Sequence, residues 1–211
     1  MTTIQYKPSF DLENAYSGGL VAGIDEAGCG PWAGPLVAAA CILDQQKISP
    51  DLLGHINDSK KLSITKREAI YEKLIQDDGV VYSTYIMDIT EFNQLGLAKA
   101  LPLTIQRAVA HLSTKPKHLL MDGIRDPKVK IPTSLIIKGD QKSYSIAAAS
   151  IIAKVTRDRL MQQLSTKHPE YNWGKNAGYG TKDHQKALET YGITPYHRTC
   201  YKPIQKLLLN A

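Results

Sequence analysis

The sequence predicts an α/β protein, a sheet of short strands with helices between them. Three observations carry that prediction. Short apolar runs bounded by turn residues lie on either side of residues 25–35 and read as two buried strands. Segments with helical periodicity then alternate with further β-branched runs. Finally, three of the predicted strands end in acids, at Asp25-Glu26, Asp122 and Asp140.

Taken in order, residues 1–19 look irregular and close on Ser17-Gly18-Gly19 before the first strand. That strand ends in two adjacent carboxylates, Asp25 and Glu26, and a loop of three glycines and two prolines leads to the second strand, which ends at Leu43. Residues 44–58 read as a polar loop containing Pro50 and Gly54. Ser63 is the expected N-cap of an amphipathic helix carrying Ile64, Ala69, Ile70 and Leu74, with Gly79 as its terminator. A strand follows over Val80 to Met87, then a short helix capped by Asp88 or Thr90 and ending near Gly96. A further helix covers Leu97 to Leu112, with Pro102 in or near its first turn. Lys117 to Met121 and Thr133 to Ile137 are short strands, leading to Asp122-Gly123 and to Lys138-Gly139-Asp140. A long helix begins at Ser143 and reaches about Ser165. A glycine-rich loop then runs to Tyr179-Gly180-Thr181, and the chain closes with helices over Asp183 to Tyr191 and Pro203 to Leu209.

At 211 residues the chain is one large domain, or one domain with an appendage. The apolar runs Ala33 to Leu43 and Ile146 to Ala153 are too short to span a bilayer, and the N-terminus lacks a signal pattern. Cys29, Cys41 and Cys200 are odd in number and form no CxxC, which points to a reducing cytoplasm rather than a disulfide framework. Charge is unevenly placed. Residues 1–153 hold 16 basic and 16 acidic side chains, whereas residues 154–211 hold 10 and 4. A basic end beside an acidic site suggests a polyanion held by one part and presented to the other, against the plainer reading of a solvated basic helix face.

The acids carry the chemistry. An aspartate after a strand is an ordinary turn residue, but three strands ending this way suggest converging carboxylates if the strands are neighbours. Such a cluster repels itself and needs cations, and oxygen-only ligation suits Mg²⁺ or Mn²⁺. Neighbouring side chains on a strand point to opposite faces, so Asp25 and Glu26 can serve one metal only if the strand is ending at Glu26 or Glu26 offers its backbone carbonyl. Lys60 and Lys61 precede the helix at Ser63, within reach of phosphates. Ser150, Lys154 and Arg157 share a face of the long helix and are candidates to line a nucleic-acid groove, while its alanines suit close packing on a sheet.

Several stretches together resemble ribonuclease HII over nearly the whole chain: Gly-Ile-Asp-Glu-Ala-Gly-Cys-Gly-Pro-Trp-Ala-Gly-Pro at 23–35, Asn-Asp-Ser-Lys-Lys-Leu at 57–62, Met-Asp-Gly at 121–123, Lys-Gly-Asp at 138–140, Ser-Ile-Ala-Ala-Ala-Ser-Ile-Ile-Ala-Lys-Val-Thr-Arg-Asp at 145–158, and Gly-Tyr-Gly-Thr at 178–181. The resemblance implies an RNase H-like fold, a mixed sheet flanked by helices with a C-terminal helical extension. The corresponding division is a catalytic part at 1–165 and a basic substrate-binding extension at 166–211. It implies a cytoplasmic monomer that cleaves RNA in RNA–DNA hybrids and incises 5′ to single ribonucleotides embedded in duplex DNA. The family's four acids fall on Asp25, Glu26, Asp122 and Asp140, holding Mn²⁺ or Mg²⁺. Its substrate contacts fall on the loop Gly28, Cys29 and Gly30 and on Tyr179, and the placement of Lys60, Ser150 and Lys154 adds them as candidate contacts.

The departure is Cys29, where the family normally has arginine. Its thiol is not expected to act as nucleophile, because neighbouring carboxylates raise its pKa. The substitution leaves one alternative, a weakened or non-catalytic hybrid-binding protein. Other acid-cluster nucleases, such as a junction resolvase or an exonuclease, fit the motifs less well. A Walker-type phosphate loop is excluded by its missing Lys-Ser/Thr.

Overall fold

The computed structural model describes residues 7–57, 59 and 62–209. Five strands form one mixed sheet: β1 (Val21–Ala27), β2 (Leu36–Leu43), β3 (Val80–Met87), β4 (His118–Asp122) and β5 (Thr133–Ile136). Their spatial order is β3-β2-β1-β4-β5. The first three form antiparallel pairs, and β1, β4 and β5 run parallel. The three strands that lead to acids are therefore adjacent and point the same way.

All eight residues of β2 are buried, because helices cover both faces of the sheet. On one face, α4 (Ile89–Leu95) and α5 (Leu97–Ala110) pack Phe92, Leu101 and Ile105 against Ile24, Leu36 and Met121. On the other, α2 (Pro50–His55), α3 (Ile64–Gln76) and α6 (Tyr144–Lys167) pack Leu52, Leu74 and Ile152 against Ala39 and Cys41. The start of α6 lies directly on β1: a Cβ added at Gly23 would sit 2.0 Å from the Ser145 carbonyl carbon and 2.2 Å from the Ile146 nitrogen. Ser143 caps α6 by accepting from the Ile146 N–H at 3.1 Å.

Several sequence expectations are corrected. The N-terminal stretch contains one helical turn, α1 (Asp11–Asn14). Its buried Glu13 accepts from the Ser143 hydroxyl at 2.6 Å and from the Ser145 N–H at 2.9 Å, placing a carboxylate at the positive end of α6. The polar loop at 44–58 contains α2, with Pro50 at its start, where a missing N–H costs nothing, and Leu52 buried. Gly79 does not terminate α3, which ends at Gln76. It lets the chain pass Ile48, whose nitrogen would lie 2.3 Å from an added Cβ. Pro102 is the sixth residue of α5, beyond its first turn.

The far half of α6 carries the C-terminal part, including α7 (Trp173–Asn176), α8 (Lys182–Tyr191) and α9 (Lys202–Leu209). Tyr171, Trp173, Leu188 and Ile204 pack there around Ala33 and Met161, so this part is built against the loop that follows β1. His184 and His197 are fully buried in it. Burial, then the neighbouring His184, pushes His197 down to about 4. A histidine held neutral in the fold but free to protonate when unfolded at its ordinary value of 6.5 makes stability fall as pH drops from 6.5 towards 4. Between pH 7 and 5 this site should remove about 2 kcal/mol. Urea unfolding at the two pH values checks it: the loss should be smaller by that amount in His197→Gln than in the unmodified protein.

Candidate active site

Asp25, Asp122 and Asp140 each place a carboxylate oxygen so that all three lie within 4.8 Å of one another. The sheet explains the convergence. Ile24 pairs with Met121 across parallel strands, so the next residues, Asp25 and Asp122, stand side by side. Asp140 arrives on a 3-10 turn, Gly139–Gln141, entered through Lys138 in the left-handed region. The Gly139 N–H donates to Asp122 Oδ1 at 2.7 Å and ties that turn to the end of β4. Asp25 and Asp140 are buried, at 7% and 3% exposure. Burial raises the Asp25 carboxyl well above its usual range, and the charges of Glu26 and Asp122 raise it further. The Ser150 side chain and the Glu26 backbone oppose the shift by hydrogen bonding.

Glu26 stands apart from this triad. The strand does not end there but continues to Ala27, so Glu26 points to the opposite face from Asp25. Its Oε1 accepts from the Cys29 thiol at 3.6 Å. Of the four predicted acids, Asp25, Asp122 and Asp140 bring carboxylate oxygens within 4.8 Å of one another, and Glu26 adds its charge beside Asp25.

The loop after β1 is pinned by two buried arginines. Arg157 Nε donates to the Pro35 carbonyl at 3.0 Å and its Nη2 to Ala33 at 3.3 Å. Arg198 donates to the Gly34 carbonyl from Nε at 3.1 Å and from Nη2 at 2.9 Å, and to the Cys29 carbonyl at 3.4 Å. The Tyr201 hydroxyl also donates to the Cys29 carbonyl. Burial pushes the Arg157 guanidinium down to about 10. Arg157 borders the cleft with Ser150 and Lys154, as expected, but not as a free cation: it is 2% exposed and holds the loop from within. Two of the ten basic residues in the last quarter, Arg157 and Arg198, are spent internally in this way. The carbonyls of Cys29, Trp32, Ala33, Gly34 and Pro35 are engaged. Among the described residues, the amides of Gly28, Cys29 and Gly30 have no hydrogen-bond acceptor.

A cleft of about 380 Å³ gathers Asp25, Glu26, Gly28, Cys29, Gly30 and Ser150, together with Lys154 and Tyr179. The Tyr179 ring lies over Gly30, where an added Cβ would be 3.2 Å from its Cε1. Lys154 is held by Asp158, Nζ to Oδ1 at 2.6 Å. Lys60 lies outside the described residues. Ser59, which sequence reading passed over in the same motif, is in the cleft wall, its hydroxyl 2.8 Å from that of Ser150. Arg67 fixes Ser59 by donating to its carbonyl at 2.8 Å. The signal for Ser59 was available, since it sits between Asp58 and Lys60 in a matched motif. The Cys29 thiol is pushed up to about 12, first by burial and then by Glu26. It is no thiolate, though desolvation outweighs the like charge that the sequence suggested.

An oxygen-only donor set in which burial, and then the charges of Glu26 and Asp122, disfavour the ionised Asp25 carboxylate fits a hard divalent cation, whose charge offsets that cost. The fold and this site define a divalent-metal-dependent endonuclease of the ribonuclease H type. A sequence profile described as Ribonuclease HII matches residues 22–205. The ribonuclease HII of Wolbachia sp. subsp. Drosophila simulans (strain wRi) is 46% identical over 202 residues, covering 95% of this chain and 98% of that one. That of Rickettsia bellii (strain OSU 85-389) is 49% identical over 190 residues, covering 90% and 93%. Among solved structures, the ribonuclease H2 from Pyrococcus horikoshii OT3 superposes with a TM-score of 0.75 at 28% identity, covering 90% of this chain and 98% of that one. The chain belongs to the ribonuclease HII family, whose activity is the cleavage of RNA in RNA–DNA hybrids. Among the described residues, no helix is long and apolar enough to cross a membrane.

The raised Asp25 predicts an effect on stability. A group whose charged form is disfavoured by folding destabilises the protein at pH values where it must ionise. Asp25→Asn should therefore raise the melting temperature of the metal-free protein at pH 8, while Mn²⁺ should stabilise the unmodified protein and leave the variant unmoved. Thermal melts with chelator or Mn²⁺ check both signs.

Proposed function

We propose that this enzyme incises 5′ to a single ribonucleotide in duplex DNA, as well as cutting RNA–DNA hybrids, leaving a 5′-phosphate and a 3′-hydroxyl. One observation carries the reading. The amides of Gly28, Cys29 and Gly30, without an acceptor among the described residues, lie in the same cleft as Asp25 and Tyr179, on a loop whose other side is clamped by Arg157 and Arg198. A 2′-hydroxyl is the only group distinguishing one ribonucleotide from its neighbours, and rigid backbone donors suit it.

In this reading Asp25, Asp122 and Asp140 hold Mn²⁺ or Mg²⁺, with Glu26 completing the catalytic four. The cation supplies Lewis-acid stabilisation of charge on the phosphate and lowers the pKa of water. The protein orients the rest. Tyr179 packs a sugar, Ser150 steadies Asp25, and Lys154, released from Asp158, meets a phosphate, as does Lys60. Residues 1–165 form the catalytic part and 166–211 the extension that holds the duplex. The enzyme acts as a cytoplasmic monomer.

Cys29 tests the backbone reading. Its side chain makes no contribution to the open amides, so Cys29→Ala should keep ribonucleotide discrimination and activity within about twofold. Cys29→Arg adds a charge-assisted phosphate contact, a class worth roughly 1.5–3 kcal/mol, and should tighten binding and steepen its salt dependence. A gel comparing a duplex carrying one ribonucleotide with its all-DNA twin, with product ends mapped, decides. The expected result is one cut 5′ to the ribonucleotide and none in the twin. Loss of activity in Cys29→Ala would give the thiol a role of its own and contradict the backbone account, whereas no cut by the unmodified protein would favour the weakened or non-catalytic hybrid-binding alternative.

A further inference from the structure

Behind Tyr179 lies a chain of buried polar groups that the proposed reaction does not use. The Thr194 N–H donates to His197 Nδ1 at 2.8 Å, so that nitrogen carries no proton and Nε2 carries it. His197 Nε2 lies 3.1 Å from His184 Nε2, which therefore accepts. The Trp173 indole N–H donates to the same His184 nitrogen at 3.2 Å. His184 is thereby left with its proton on Nδ1, which lies 2.9 Å from the Tyr179 carbonyl. Every proton in the chain is fixed by the one before it, and both imidazoles are fully buried.

The last bond reaches the tyrosine's own carbonyl, on a main chain whose neighbours are held as well: the Gly178 carbonyl accepts from the Trp32 and Ala33 amides at 2.8 and 3.3 Å, the Tyr179 N–H donates to the Asn176 carbonyl at 2.9 Å, and the Gly180 carbonyl accepts from Gln185 Nε2 at 2.8 Å. Tyr179 follows Ala177 and Gly178, both at positive φ, 49° and 80°. Among the described residues, its carbonyl accepts from the Thr181 N–H, at 2.8 Å, and from His184. Its side chain, half exposed, lies over Gly30 in the cleft.

We propose that His184 and His197 are positioning residues for substrate recognition. Acting through the Tyr179 carbonyl, they set the height of the Tyr179 ring above Gly30 and so the width of the slot that admits the sugar. The inference rests on the reading of Tyr179 as a substrate contact. Trp173 and Thr194 serve to select the tautomer. A buried imidazole that only filled space would be replaceable by an apolar side chain of similar size. This one has to donate from Nδ1.

The test is a double-mutant cycle on cleavage of a duplex carrying one ribonucleotide, with Mn²⁺ saturating. Tyr179→Ala should lower kcat/KM about tenfold and His184→Leu about fivefold, the loss expected from one hydrogen bond. The double variant should be no worse than Tyr179→Ala alone, because His184 acts only through the tyrosine. His184→Asn, which keeps a donor near the Nδ1 position, should recover to within about twofold of the unmodified enzyme. The Mn²⁺ concentration giving half-maximal rate should not move in any variant, whereas general loosening of the fold would shift it. If His184→Leu does not fold, His197→Leu runs the same cycle from one bond further back. Impaired Tyr179→Ala beside normal His184→Leu, or penalties that multiply, overturns the proposal and leaves the reading of Tyr179 standing. Normal cleavage by Tyr179→Ala overturns that reading and the proposal with it.

Discussion

The site depends on the contact between the start of α6 and β1. At Gly23 the strand leaves no room for a Cβ against the Ser145 and Ile146 backbone. The small residues Ala147, Ala148, Ala149 and Ala153 continue that close approach, all fully buried. From this single crossing follow the positions of Ser150 beside Asp25, Lys154 at the cleft, and Arg157 under the loop. A larger side chain at Gly23 would push the helix off the strand and separate these groups together, since packed interiors give little.

The second constraint is the way the loop is held. Arg157, which helical spacing offers to a nucleic-acid groove, and Arg198 are turned inward onto carbonyls of Cys29, Ala33, Gly34 and Pro35. Hydrogen bonds from charged donors to buried acceptors are among the stronger ones, roughly 1.5–3 kcal/mol each. They also divide the labour within the loop. Carbonyls of Cys29, Ala33, Gly34 and Pro35 are bound to these arginines, while among the described residues the amides of Gly28, Cys29 and Gly30 have no acceptor. The price is a dependence on the C-terminal part, because Arg198 comes from there and the Ala33–His197 bridge and the Trp32 carbonyl bind the same segment.

Most of the strands and long helices are legible because alternation, caps and turn residues agree: β3 matches its expected span, Ser63 caps as read, Asp88 is the cap of the two residues offered, and the long helix starts within one residue of Ser143, which caps it. The acids were legible as strand-end residues, but that β1, β4 and β5 are parallel neighbours is a property of the sheet that no local pattern encodes. Helical spacing put Arg157 on a face with Ser150 and Lys154 without saying that this part of the face is covered. In the same way it could not show that Asp158 holds Lys154. The helix at 50–55 was hidden by its Pro50 and Gly54, which read as turn formers. His184 and His197 carry no spacing signal, since their partnership is made by two elements folding onto Trp173.

The central claim is that the sheet brings Asp25, Asp122 and Asp140 together as one cation site beside a loop preset to read ribose. Anomalous diffraction at the manganese edge, from crystals grown with Mn²⁺, tests it most directly. The account predicts a peak bonded to carboxylate oxygens of all three aspartates, at the oxygen distances of a hard divalent ion. A manganese peak seated elsewhere, or none among these carboxylates in crystals that still cleave substrate, would contradict it.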